Sequence, residues 1–155
     1  MKKTFVYKDG GVEPEVKVSG LDPSAYRVIY DGSYWVGTAR VTIEAKGKDY
    51  KGSIVRYYTI NPKKAVISGV RPAKRKMTVK AKTKASMTGG SHYQIRYRMK
   101  GTKKWKTLKT AEQTVTIKKL KKGKRYQVQM RTYEKTGGKT YYGAWGKVKT
   151  SKKIK

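Results

Sequence analysis

One histidine, no cysteine, and 9 carboxylates set against 40 lysines and arginines leave this chain of 155 residues few routes to chemistry. Nucleophilic catalysis needs a nucleophile beside a base, and His92 has no thiol to activate. Standing just before Tyr93 at the start of a strand pattern, His92 reads as an exposed turn residue. Paired carboxylates would have to come from Glu13, Glu15, Asp22, Asp31 and Asp49, which fall in turns or at strand ends, where an acidic side chain commonly serves the turn itself. Zinc lacks ligands, and no Asp-x-Asp-x-Asp calcium loop occurs. Asp9, Glu13 and Glu15 would make only a weak calcium site and are better explained as solvated turn charges. Gly89-Gly90 and Gly137-Gly138 lie between strand patterns and lead into no helix, so they read as hairpin turns rather than phosphate loops. The expectation is a protein that is not an enzyme and that holds no cofactor and no metal.

Binding chemistry is better supplied. Asp31-Gly32-Ser33-Tyr34-Trp35-Val36-Gly37 places two rings in a turn, where an exposed Tyr34-Trp35 pair would stack on a sugar face or a partner. The competing reading folds Trp35 back onto its own module or into a joint between modules, because small domains bury aromatic area where they can. Tyr141-Tyr142 forms a second candidate pair for carbohydrate contact. Runs such as Tyr93-Gln94-Ile95-Arg96-Tyr97-Arg98 interleave aromatic and basic residues, but on a pleated strand that alternation sends the aromatics to the core.

The elements that must carry these residues are strands. Period-two alternation runs through the chain without a sustained 3.6-residue period. Strands are expected at Thr4–Tyr7, Glu15–Ser19, Tyr26–Tyr30, Thr38–Ala45 and Ser53–Ile60, then at Ala65–Val70, Lys76–Lys82, Tyr93–Met99, Trp105–Thr110, Thr114–Lys118, Tyr126–Tyr133 and Tyr141–Thr150. Asn61-Pro62 separates the two groups, since proline cannot donate to a ladder and holds its predecessor extended. The predicted modules are 1–62 and 63–155. Charge divides at the same place: 10 Lys/Arg stand against 7 Asp/Glu in the first, and 30 against 2 in the second. Lys76-Met77-Thr78-Val79-Lys80-Ala81-Lys82 shows how the lysines alternate with core residues and so form a distributed cationic coat.

Residues 72–150 resemble a lysine-rich fibronectin type III domain of the kind found in surface proteins of gut Firmicutes. The resemblance rests on Lys76-Met77-Thr78-Val79, on Tyr93-Gln94-Ile95-Arg96-Tyr97-Arg98, on the stretch from Leu120 to Arg131 and on Tyr141-Tyr142-Gly143-Ala144-Trp145-Gly146. It implies a seven-stranded β-sandwich in which Leu120 and Tyr126 form a tyrosine corner, the hydroxyl bracing a turn and the ring packing inward. Ala81 stands where that family usually has a core Trp, so Trp105 or Tyr97 is expected to fill the volume. Residues 5–60 are similar to a bacterial immunoglobulin-like repeat, through Tyr26-Arg27-Val28-Ile29-Tyr30, Gly37 to Ile43, Gly47 to Gly52 and Tyr58 to Pro62.

The resemblances imply an all-β, two-module piece of a bacterial cell-surface or secreted protein, acting as a spacer or adhesion unit and monomeric as a fragment. Its partner is expected to be an anionic wall polymer or glycan, without specific nucleic-acid recognition. The other readings are a basic nucleic-acid binder and a carbohydrate-binding accessory module of a secreted enzyme. Met1-Lys2-Lys3 begins like an export signal, but Thr4 to Asp9 replaces the required apolar stretch of about 7–15 residues. Export is therefore expected to depend on a longer precursor. No run approaches the roughly 20 apolar residues of a membrane span, and membrane insertion is not expected.

Overall fold

Alternation builds the first sheet. The computed structural model describes residues 3–82 and 92–155, and the chain divides into two compact units, Met1–Asn61 and Pro62–Lys155. In the first, Thr4–Val6 (β1), Tyr26–Asp31 (β2), Gly37–Ala45 (β3) and Ser53–Asn61 (β4) form one sheet in the order β1-β4-β3-β2. β2, β3 and β4 make an antiparallel meander, and β1 joins β4 in parallel. Period two turns Tyr26, Ala39, Val41, Tyr58 and Ile60 to one buried face. Phe5 meets Tyr58 edge-on at 5.6 Å.

That face is covered by a strap rather than by a strand. Residues 15–19, expected to be a strand, pair with no neighbour. The carbonyls of Val12, Pro14 and Val16 instead accept hydrogen bonds from the hydroxyls of Tyr58 (2.6 Å), Tyr30 and Tyr26 (3.5 Å). The alternation was real, because Val16 and Val18 are half-buried between exposed Glu15, Lys17 and Ser19. The backbone partners are tyrosine hydroxyls, and Pro14 has no N–H to offer a ladder.

In the second unit Ile67–Ala73 (β5), Lys76–Ala81 (β6) and Thr114–Ile117 (β9) form a three-stranded sheet in the order β5-β6-β9. His92–Met99 (β7), Lys106–Thr110 (β8), Tyr126–Thr136 (β10) and Lys139–Tyr142 (β11) form the other in the order β11-β10-β7-β8, with Lys149–Thr150 (β12) also on β10. Met77, Val79, Tyr93, Ile95, Val128 and Met130 fill the core between them. The last predicted strand, 141–150, is thus broken into β11 and β12. Its interruption follows from Gly143 and Gly146, whose N–H groups donate to Thr132 O (3.0 Å) and Met130 O (2.8 Å). A Cβ at Gly143 would lie 2.6 Å from Lys63 O, and one at Gly146 would collide with Ala65 O.

Gly137 and Gly138 form the turn between β10 and β11 with φ of 54° and 73°, the positive pair that a two-residue hairpin turn needs. Gly89-Gly90 lies outside the described residues. Ala81 is buried, and Tyr97 packs against the core. Trp105 does not fill that volume, because it stacks with arginines that point away from the core.

Candidate functional site

Tyr34 and Trp35 project from the turn between β2 and β3. Trp35 N–H donates to Gly32 O at 3.3 Å, and Gly32 holds φ at 73°. The turn is tied to the strap by Val12 N–H to Ser33 O (2.8 Å) and by the Ser33 hydroxyl to a Glu13 carboxylate oxygen (3.2 Å). The Tyr34 ring lies over Gly11, with its atoms 3.0–3.3 Å from where a Cβ would stand, so glycine there admits the ring. Tyr34 remains 54% exposed and Trp35 58%. A shallow hollow of about 240 Å³ is lined by Asp31, Gly32, Thr38, Arg40 and Tyr57, with Arg40 Nη2 3.0 Å from Asp31 Oδ2. Tyr57 is 63% exposed. Open rings on one module, with an Asp–Arg pair beside one of them, offer the apolar planes and hydrogen-bonding groups that sugar faces take.

Tyr141 and Tyr142 sit on β11, both half-buried. Tyr142 is already engaged: the Arg131 guanidinium lies 3.8 Å from its ring centroid, and Tyr133 tilts against it at 6.0 Å. This contact belongs to a larger array on the outward face of β7 and β10. Antiparallel register sets Arg98 opposite Gln127, Arg96 opposite Gln129 and Gln94 opposite Arg131. Each arginine Nε donates to the facing glutamine Oε1, at 2.8, 2.8 and 2.7 Å.

The guanidiniums held this way alternate with rings. Arg98 stacks on Trp105 (4.3 Å), Arg96 lies against both Trp105 (4.8 Å) and Trp145 (4.4 Å), and Arg131 lies against Trp145 (4.5 Å) and Tyr142. Burial pulls the Arg131 pKa below its usual value, Tyr142 opposes this and the neighbouring Arg96 charge adds to it. Glutamine neutralises none of these cations, so the array fixes three permanent positive charges in one face. Reading the alternating aromatics as core residues missed it, since Trp105 and Trp145 come from the flanking segments. The signal was the reversed match of Gln94-x-Arg96-x-Arg98 with Gln127-x-Gln129-x-Arg131.

Leu120 and Tyr126 are 3% and 7% exposed, and the Tyr126 hydroxyl accepts from Lys121 N–H at 3.0 Å. His92 is not an exposed turn residue: it opens β7, half-buried and stacked on Tyr133 at 5.3 Å. Several carboxylates serve local structure. Asp22 accepts from the Ser24 N–H (2.8 Å) and hydroxyl (2.6 Å), which lowers its pKa, while Glu15 meets Lys17 at 3.1 Å. Among the described residues no group of three His, Cys, Asp or Glu side chains is placed to hold a metal, and no helix is long and apolar enough to cross a membrane.

No protein-family profile and no curated protein matches the chain. Among solved structures it is similar to the FN1-FN3 domains of chicken CNTN1, with a TM-score of 0.52 and 17% identity over 79% of this chain and 46% of that one. A structure described as a myokine aligns with a TM-score of 0.45 and 9% identity over 61% of this chain and 97% of that one. The chain thus spans about half the length of the CNTN1 structure. The likeness to CNTN1 is one of fold, and it identifies an all-β architecture of fibronectin type III and immunoglobulin-like build.

Proposed function

We propose that this chain is a non-catalytic spacer and adhesion segment of a bacterial cell-surface or secreted protein, and that its second unit attaches to anionic wall polymer or glycan. The fold fits a spacer or adhesion module. The observation that carries the reading is the charge of the second unit, 30 Lys/Arg against 2 Asp/Glu, together with three arginines fixed on one sheet face by neutral glutamines. Such a surface attracts polyanions through counterion release, so heparin, teichoic acid and DNA should all bind at about 50 mM salt and weaken strongly by about 200 mM. Amide shifts measured on the full chain should fall in Pro62–Lys155. Tight binding to one DNA sequence that survives the higher salt would require base readout and would favour the nucleic-acid reading instead.

A second reading, carbohydrate contact by the first unit, is supported by the exposure of Tyr34, Trp35 and Tyr57. Tyr142 is a weaker candidate for such contact, because one face of its ring is taken by Arg131.

A further inference from the structure

Where the end of β7, the turn leading into β8 and the β9–β10 loop meet in the second unit, a cavity of about 420 Å³ opens. That volume is within the ordinary range for small-molecule sites, roughly 300–1,000 Å³. Its floor is apolar, made by Tyr97, Met99, Leu120 and Tyr126, all of them part of the core or packed against it. Its rim carries Lys104, Lys106, Lys118, Lys119 and Lys121, and no carboxylate lines it.

The walls are held in place on both sides. On one, Lys121 N–H donates to the Tyr126 hydroxyl (3.0 Å) and Leu120 N–H to Arg75 O (2.9 Å). On the other, the Thr102 hydroxyl donates to Met99 O (2.8 Å) and Lys100 N–H to Arg125 O (2.8 Å). Lys119 itself has φ of 59°, a left-handed conformation that glycine adopts freely and lysine does not. Four residues on from Lys119 the chain does use glycine for that purpose, at Gly123 with φ of 74°. At position 119 a cation stands instead, on the rim of the cavity.

Five lysines around one rim carry the same charge with no carboxylate among them, so an anion entering there meets positive partners on several sides. An anion alone would leave the apolar floor wet, whereas one carried on an apolar body would cover it. We propose that this cavity is a binding site for an amphipathic anion, a phosphate, sulfate or carboxylate group borne on an apolar ring or short chain. The rim lysines hold the charge, and Tyr97, Met99 and Leu120 receive the apolar part. The site does not depend on polymer attachment, which needs charge alone.

Titration of the full chain with 1-naphthyl phosphate at about 150 mM salt, read by amide shifts, tests this against inorganic phosphate as the charge-only control. Saturable one-site binding is expected, at least about tenfold tighter than phosphate, with shifts confined to the neighbourhood of Met99, residues 118–121 and Tyr126. Lys119→Gly should weaken naphthyl phosphate several-fold while leaving the melting temperature equal or higher. Lys119→Gln, which keeps the backbone conformation, should weaken it by a similar factor. Equal affinity for the two probes, shifts spread over the whole lysine-bearing surface, or unchanged binding in both variants would overturn the proposal and leave the polymer reading standing.

Discussion

A single ring can be an adhesive contact or part of a core, and the exposure of Trp35 speaks against the core. At 58% exposed, its indole makes too little contact with the fold for truncation to cost the roughly 3–5 kcal/mol of a buried Trp. Trp35→Ala is therefore expected to leave the melting temperature nearly unchanged and to weaken binding to a glycan array; lost stability with intact binding would mark a packing role. Tyr58 is the opposite case, 2% exposed and hydrogen-bonded to Val12 O. Burial, with smaller contributions from Tyr30 and the Glu13 charge, pushes its pKa up from 10.0 to about 12. An unfolded Tyr58 loses its proton near 10 while the folded one keeps it to about 12, so its contribution to stability is complete below pH 10 and is lost as pH rises through that window. Tyr58→Phe should flatten the fall of melting temperature between pH 10 and 12, and should cost about 1–3 kcal/mol at neutral pH by leaving Val12 O unmatched. Tyr30, raised by burial and Glu13, would keep part of the slope.

Elements were legible in the sequence wherever a strand has a strand for a neighbour. The alternation in β3, β6, β7 and β10 matched observed ladders to within a few residues at their ends, because each of these buries one face and pairs on both edges. The strap at residues 15–19 showed the same period and is not a strand. Alternation reports which groups face the sheet; it does not report whether hydroxyls or backbone amides receive the carbonyls. The break between β11 and β12 was hidden for a related reason: Gly143 and Gly146 are ordinary in a strand pattern, and it is the approach of residues 62–65, with Thr132 Oγ1 beside Gly143, that leaves no room for a side chain there. Gly146→Ala tests this. Its methyl would meet Ala65 O and lie 3.2 Å from Met130 O, both backbone atoms that cannot rotate away. A loss of roughly 1–3 kcal/mol is expected in chemical denaturation, with β12 amides the first to lose exchange protection. Unchanged stability would mean that the strand edge relaxes without cost. The arginine array was partly legible, since the glutamine and arginine spacing of β7 and β10 lies in the sequence; the rings that complete it come from outside those strands, so pairing had to be known first.

For the whole molecule the charge division was the most legible feature, because it needs only residue counts and a boundary. What the counts omit is how the fold uses the charge. In the first unit Arg27 and Arg40 pair with Glu44 and Asp31 across β2 and β3. In the second, the described arginine contacts on β7 and β10 run to glutamines, rings and the Lys103 carbonyl, all uncharged, which leave the cationic charge in place. Folding therefore concentrates positive charge in the second unit, and self-repulsion opposes its compact state more than its unfolded one. At about 10 mM salt the screening length, near 30 Å, exceeds most distances within such a unit, and at 0.15 M it shrinks to about 8 Å. Added salt should then stabilise the second unit, with a gain of about 1 kcal/mol raising its melting temperature by roughly 4–8 °C. Trp35→Ala makes this measurable, because the remaining tryptophans, Trp105 and Trp145, both lie in the second unit and their fluorescence reports on it alone. Heparin at 10 mM salt should raise the same transition by supplying the missing negative charge, and its effect should fade as salt rises while the baseline climbs. A melting temperature independent of salt, with heparin absent, would mean that the lysines are too well solvated to repel one another and that polyanion binding draws on local contacts rather than on the field of the whole unit.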